Sequence, residues 1–132
     1  DGSAARFFYC AKASRSERDE NCEDLEDNLL ARSGGARQAE KEEYLQNHIG
    51  LNKISKVKNN HPTVKPIELM KYLCKLITPK EGLILDPFMG SGSTGVASKI
   101  ENFNFIGIEI DESYFKIAEA RINNVKVINK LI

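Results

Sequence analysis

From His61 onward, apolar residues switch between helical spacing and short unbroken runs. Ile67, Met70, Leu73, Cys74 and Ile77 recur at three- and four-residue steps, while Glu68, Lys71 and Lys75 mark an outer stripe. Pro66 suits the first turn of that helix, and Pro79 and Gly82 end it. Leu83 to Asp86 then reads as a fully buried strand. Ser93 to Ile100 is a short helix with Val96, Ala97 and Ile100 turned inward, and Phe105 to Ile110 is a second buried strand. Asp111 is a good N-cap for a last helix presenting Tyr114, Ile117, Ala118 and Ile122. This alternation predicts an α/β fold with a parallel sheet and right-handed crossovers.

Before His61 the pattern is weaker. Ala4 to Ala11 alternate and carry Phe7, Phe8 and Tyr9, which suits a strand whose aromatics sit in a core. Arg15 to Ala31 place Cys22, Leu25, Leu29 and Leu30 at helical spacing amid many charges, so an exposed helix is predicted there. Ser33-Gly34-Gly35 interrupts it, and Ala36 to Leu51 is polar, anchored by Tyr44, Leu45 and Ile49. Part of residues 34–60 is expected to be disordered. No internal repeat is visible.

At 132 residues the chain has the length of one domain. Lysine plus arginine balance aspartate plus glutamate at 19 each, so no global positive field argues for nucleic acid. The distribution is uneven. Seven carboxylates between Glu17 and Asp27 face the single Arg18, and that stretch is expected to face solvent or a partner. Lys53, Lys56 and Lys58 lie in the more basic segment that follows, where a short lysine run is ordinarily a solvated face. Cys10, Cys22 and Cys74 lack metal or disulfide spacing and read as free thiols of a cytoplasmic protein. No run is long enough to span a membrane, no signal-peptide core is present, and no metal-ligand cluster is seen. The absence of an initiating methionine suggests a fragment.

Residues Leu83 to Gly95 carry the chemistry. Gly90-Ser-Gly92-Ser-Thr-Gly95 satisfies G-x-G-x-x-G after a strand, and Glu109 follows at the end of the next strand, where an acid can accept hydrogen bonds from ribose hydroxyls. The loop lacks the lysine of a P-loop. A dinucleotide would set its pyrophosphate against the helix N-terminus, and Asp86 would oppose it. Asp86 suits the ammonium group of an amino acid instead, and Lys65 suits a carboxylate. S-adenosylmethionine (AdoMet) carries both groups and no phosphate. Taken singly, these residues have plainer readings: Glu109 as a solvated strand end, Asp86 as a turn cap, Lys65 as a solvated lysine and His61 as an orienting residue.

His61-Pro-Thr-Val-Lys-Pro-Ile-Glu-Leu-Met70, Leu85-Asp-Pro-Phe-Met-Gly-Ser-Gly-Ser-Thr-Gly-Val-Ala97, and Phe105-Ile-Gly-Ile-Glu-Ile-Asp-Glu-Ser-Tyr-Phe115 with Ala118-Glu-Ala-Arg-Ile122 resemble consecutive motifs of amino-group DNA methyltransferases. Their order is similar to that of the β group, in which the catalytic half precedes the AdoMet half. Ser3 to Ser14 resembles a segment that phage-like members carry between the halves, and Ser93 stands where many relatives have threonine.

The resemblance implies a Rossmann-like AdoMet-dependent methyltransferase sheet, incomplete in this chain, and methyl transfer to adenine N6 or cytosine N4 of a base flipped out of DNA. It implies Thr63 and Lys65 at the methionine end, Asp86, Phe88, Gly90 and Gly92 in the loop beneath AdoMet, Ser93 and Thr94 as further contacts, Glu109 at the ribose and Ile110 on the adenine. The family's Asp-Pro-Pro-Tyr motif occurs nowhere in these residues, so no catalytic residue is assigned. Residues 1–59 then read as a connecting region after a missing catalytic half, and residues 60–132 as the AdoMet-binding portion of a cytoplasmic restriction-modification enzyme. Its partners would be DNA, met through the complete enzyme, and the missing half or a partner chain; the reading leaves room for a homodimer. The alternatives are a non-catalytic AdoMet-binding remnant or subunit and, further off, a dinucleotide-dependent oxidoreductase.

Overall fold

A computed structural model describes residues 12–31 and 54–126. The elements run α1 (Arg15–Asp19), β1 (Asn28–Ala31), β2 (Ile54–Val57), α2 (Ile67–Ile77), β3 (Leu83–Asp86), α3 (Ser93–Ile100), β4 (Asn104–Gly107) and α4 (Glu112–Asn123). β3 and β4 pair in parallel, Leu83 opposite Asn104 and Asp86 opposite Gly107, with α3 as the crossover. The class is therefore α/β, and the small parallel sheet is a partial Rossmann-like arrangement, as the periodicity and the resemblance predict. The expected strand at Ala4 to Ala11 and the polar stretch from Ala36 to Leu51 lie outside the described residues.

The core forms where α3 packs against α2, α4 and both parallel strands. Ile67, Val96 and Val125 meet there with Ile122, and Ala97 and Ala118 are fully buried. Each fully buried Val or Ile side chain is worth about 1.5–3 kcal/mol. The first turn of α4 is fixed as expected, because the Asp111 carboxylate accepts the amides of Ser113 and Tyr114.

Three expectations are corrected. The charged helix predicted over Arg15 to Ala31 stops at Asp19, since Glu20 is extended and Asn21 turns left-handed at φ 63°. Like charges three and four residues apart disfavour its continuation, and the chain instead forms β1, paired antiparallel with β2. Neither parallel strand is fully buried. The helices cover the face with Ile84, Asp86, Phe105 and Gly107, whereas Leu83, Leu85, Ile106 and Ile108 are at least half exposed. On the helices, Leu73, Ile77 and Ile100 are also exposed, so the inward stripe of α2 narrows to Ile67 and Cys74 with Met70 half-buried. Parallel sheets occur almost only with both faces covered. The described residues supply one cover.

Candidate functional site

The loop between β3 and α3 is held from within. Asp86 accepts the Phe88 amide through Oδ1 (3.2 Å) and the Thr94 hydroxyl through Oδ2 (2.6 Å), so it caps the turn and faces the cavity at once. The Gly92 amide closes the turn onto the Met89 carbonyl at 2.9 Å, and the Met89 amide continues the ladder to Ile108. Gly90 and Gly92 both have positive φ, 53° and 74°. A Cβ on Gly90 would stand 2.7 Å from His61 Nε2, and one on Gly92 would stand 2.9 Å from the Ala118 Cβ. Side chains are excluded from these two positions by backbone handedness and by neighbours together.

Glu109 ties the loop to the second strand. Its Oε2 accepts the Gly90 amide and its Oε1 the Asp111 amide, each at 2.9 Å. A carboxylate has about four acceptor sites, so both oxygens retain capacity for a ligand.

The opposite wall, residues 58–66, is framed by α1. Asp19 Oδ1 accepts the amides of Lys58 (3.1 Å) and Asn59 (2.9 Å), Arg18 donates to the His61 carbonyl (2.6 Å), and Glu17 accepts the Ile67 amide (2.7 Å). Fully buried Asn59 completes the frame, donating to the Arg18 carbonyl and accepting from the His61 amide. The acidic segment expected to face solvent or a partner thus shapes the wall through Glu17 and Asp19. Glu17 itself is placed by a capping box with Ser14.

His61 lies at the junction of wall and loop. The Thr63 amide donates to its Nδ1, which puts the ring proton on Nε2, and its ring meets Tyr114 edge-on at 4.5 Å. Burial holds the imidazole below its usual pKa; Glu109 opposes that shift, while Arg18, Lys65 and Arg121 reinforce it.

Between wall and loop lies a cavity of about 550 Å³, within the range of roughly 300–1,000 Å³ usual for small-molecule pockets. Eight of the sequence-predicted residues line it: Thr63, Lys65, Asp86, Phe88, Gly90, Ser93, Thr94 and Glu109. Gly92 is packed against α4, and Ile110 is fully exposed outside the lining. Sequence reasoning missed Tyr114 and Met89 as lining residues, having placed Tyr114 only on the apolar face of the last helix. The His61 contact is the signal that distinguishes it. Two carboxylates, one ammonium and the apolar side chains of Leu69, Met70 and Leu73 make a lining suited to a ligand with cationic, hydroxyl and apolar parts.

Similarity to known proteins fits this geometry. A family model described as DNA methylase, N6_N4_Mtase, matches residues 2–120. The chain belongs to this DNA methylase family. The match sets aside the dinucleotide-dependent oxidoreductase. Among similar proteins, the Type II methyltransferase M2.MboI of Moraxella bovis is 37% identical over 75 residues, covering 57% of the chain and 28% of the relative. M2.DpnII of Streptococcus pneumoniae is 43% identical over 70 residues (53% and 26%), and M.HindIII of Haemophilus influenzae is 42% identical over 79 residues (58% and 26%). The chain thus spans little more than a quarter of these relatives' length. A solved M1.HpyAVI–SAM complex is 48% identical, covering 48% of this chain and 31% of that one with a TM-score of 0.47. Among the described residues, no helix is long and apolar enough to cross a membrane, and no cluster of three or more His, Cys, Asp or Glu side chains is placed to hold a metal ion.

Proposed function

We propose that the chain is the AdoMet-binding part of a site-specific DNA methyltransferase acting on adenine N6 or cytosine N4. The observation that carries this reading is the joining of Asp86 and Glu109, at the ends of neighbouring parallel strands, to one loop and one cavity in a chain of the DNA methylase family. The lining fits AdoMet by its chemistry. Lys65 and Thr63 would hold the carboxylate of the methionine part, Asp86 its ammonium, and Glu109 the ribose hydroxyls; Phe88, Ser93 and Thr94 would complete the contacts, with Ile110 meeting the adenine at the rim. When bound, AdoMet supplies a methyl group on a sulfonium. The chain's own residues bind and orient that ligand, so their contribution to transfer is positioning.

The residues that receive the target base are proposed to belong to polypeptide beyond this segment. The Asp-Pro-Pro-Tyr motif is absent from the sequence, the match covers little more than a quarter of the relatives' length, and the sheet face carrying Leu83, Leu85, Ile106 and Ile108 is uncovered among the described residues. That face would receive the complementary part of the enzyme. DNA would be met through the assembled protein, and residues 60–132 would be its cofactor portion, with residues 1–59 as the connection.

Calorimetry tests the first half of the proposal: the chain should bind AdoMet and its demethylated product and not NAD, and the opposite preference would remove the reading. Radiolabel transfer tests the second. Methylation of DNA should be undetectable with the chain alone and appear when the complementary segment of a relative is added. A chain that binds AdoMet yet supports no transfer with any complement would be a non-catalytic remnant.

A further inference from the structure

We infer that Arg121 is a positioning residue for the cofactor loop, fixing the Ser91–Gly92 peptide in the orientation that lets the loop line the cavity. The inference rests on reading that cavity as the AdoMet site. Arg121 lies on α4 and is 1% exposed. Its Nη1 donates to the Ser91 carbonyl at 2.7 Å, to the Ser91 hydroxyl at 3.2 Å and to the Ser93 hydroxyl at 3.3 Å. The N–H end of the same peptide, on Gly92, donates to the Met89 carbonyl. In a planar trans peptide the C=O and N–H point opposite ways, so bonds at both ends prevent rotation of the unit. Ser91 and Ser93 line the cavity on either side of it.

The same helix face supplies a steric seat. Ala118 is three residues before Arg121, a spacing that puts both on one side of α4, and Gly92 is packed against it. One turn of helix therefore presses on the loop with a methyl group and holds it with a guanidinium.

The charge has no other evident use. Among the described residues no carboxylate lies within ion-pair distance of Arg121, and its Nε has no partner. Burial lowers its pKa, with Cys22, Glu20 and Glu17 acting against that effect. An unpaired buried charge is a poor packing element, and an apolar side chain of similar volume would fill the space at less cost. What an apolar side chain would not do is hold the Ser91 carbonyl.

The test uses the 132-residue chain and its Arg121→Met and Arg121→Lys variants, with AdoMet calorimetry, thermal unfolding and hydrogen exchange at the Gly92 amide. Arg121→Met should weaken AdoMet binding and speed Gly92 exchange by about tenfold or more, the scale of one lost charge-assisted hydrogen bond. Its Tm should stay within about 4 °C of the parent. Arg121→Lys, which keeps a donor, should recover most of the affinity. Unchanged affinity in Arg121→Met, or affinity and Tm falling together without recovery in Arg121→Lys, would make Arg121 a packing residue and overturn the inference. Failure of the parent chain itself to bind AdoMet, with Gly92 exchange still responding to Arg121→Met, would instead overturn the cofactor reading and leave the positioning role standing.

Discussion

Replacing Asp19 with alanine tests the contribution of α1 to the cavity, because its carboxylate accepts backbone amides of the wall and is not part of the cavity lining. The substitution removes the acceptor of two amides, Lys58 at 3.1 Å and Asn59 at 2.9 Å. A hydrogen bond to a charged acceptor is worth about 1.5–3 kcal/mol, so two give about 3–6 kcal/mol at full burial. The site is partly buried, and water can replace some of this interaction, which brings the expected loss to about 2–4 kcal/mol. Hydrogen exchange reads it locally: protection at Lys58 and Asn59 should fall by about 30- to 1,000-fold at 1.4 kcal/mol per tenfold, while the amides of α4 keep theirs. Asp19→Asn retains one acceptor oxygen and should lose less. AdoMet affinity should fall along the same series, since His61, Thr63 and Lys65 ride on the segment released. Protection at Lys58 and Asn59 within about threefold of the parent would refute the frame, because a change below about 0.7 kcal/mol is too small for two lost charged hydrogen bonds.

Three further outcomes are expected. Glu109→Ala should weaken AdoMet binding by about 1–3 kcal/mol in calorimetry, with Glu109→Gln intermediate, since the carboxylate both fastens Gly90 and lines the cavity. Gly90→Ala should cost about 1–3 kcal/mol in urea unfolding and lower affinity, because it forces a left-handed alanine against the His61 ring. His61 gives a pH dependence: the folded chain holds it below its usual pKa while the unfolded chain takes up a proton near about 6.5. Its contribution to stability is level above neutral pH and declines as pH falls below about 6.5 toward the folded pKa, where the unfolded state binds more protons. His61→Gln should remove that component from urea midpoints measured between about pH 8 and pH 5.

How much of this was legible in the sequence follows the range of the forces involved. α2, β3, α3 and α4 were readable because their periodicity, prolines, glycines and the Asp111 cap act within a few residues. The loop was readable for the same reason, as Gly90, Gly92 and Asp86 are local requirements of one turn. The role of α1 was hidden. Its side chains bond to backbone about 40–50 residues away, and nothing in an acidic stretch distinguishes carboxylates that meet amides from those that meet water. The exposure of Leu83 and Leu85 was hidden too, because an unbroken apolar run shows which side chains favour cover, not whether a second layer is there. Arg121 stood inside a quoted motif as one basic residue in the last turn of a helix, and only its burial reveals its partners.

The antiparallel pairing of β1 and β2 sets Ala31 beside Ile54, so the ends of segment 32–53 are stapled together before that segment begins. Anything placed between two stapled ends leaves the scaffold beneath them undisturbed, because the strain of a longer or shorter excursion stops at the last ladder bond. That junction is a natural port for length change: a reporter domain or a foreign DNA-reading module spliced between Ala31 and Ile54 should fold on its own terms while the cavity between wall and loop stays assembled.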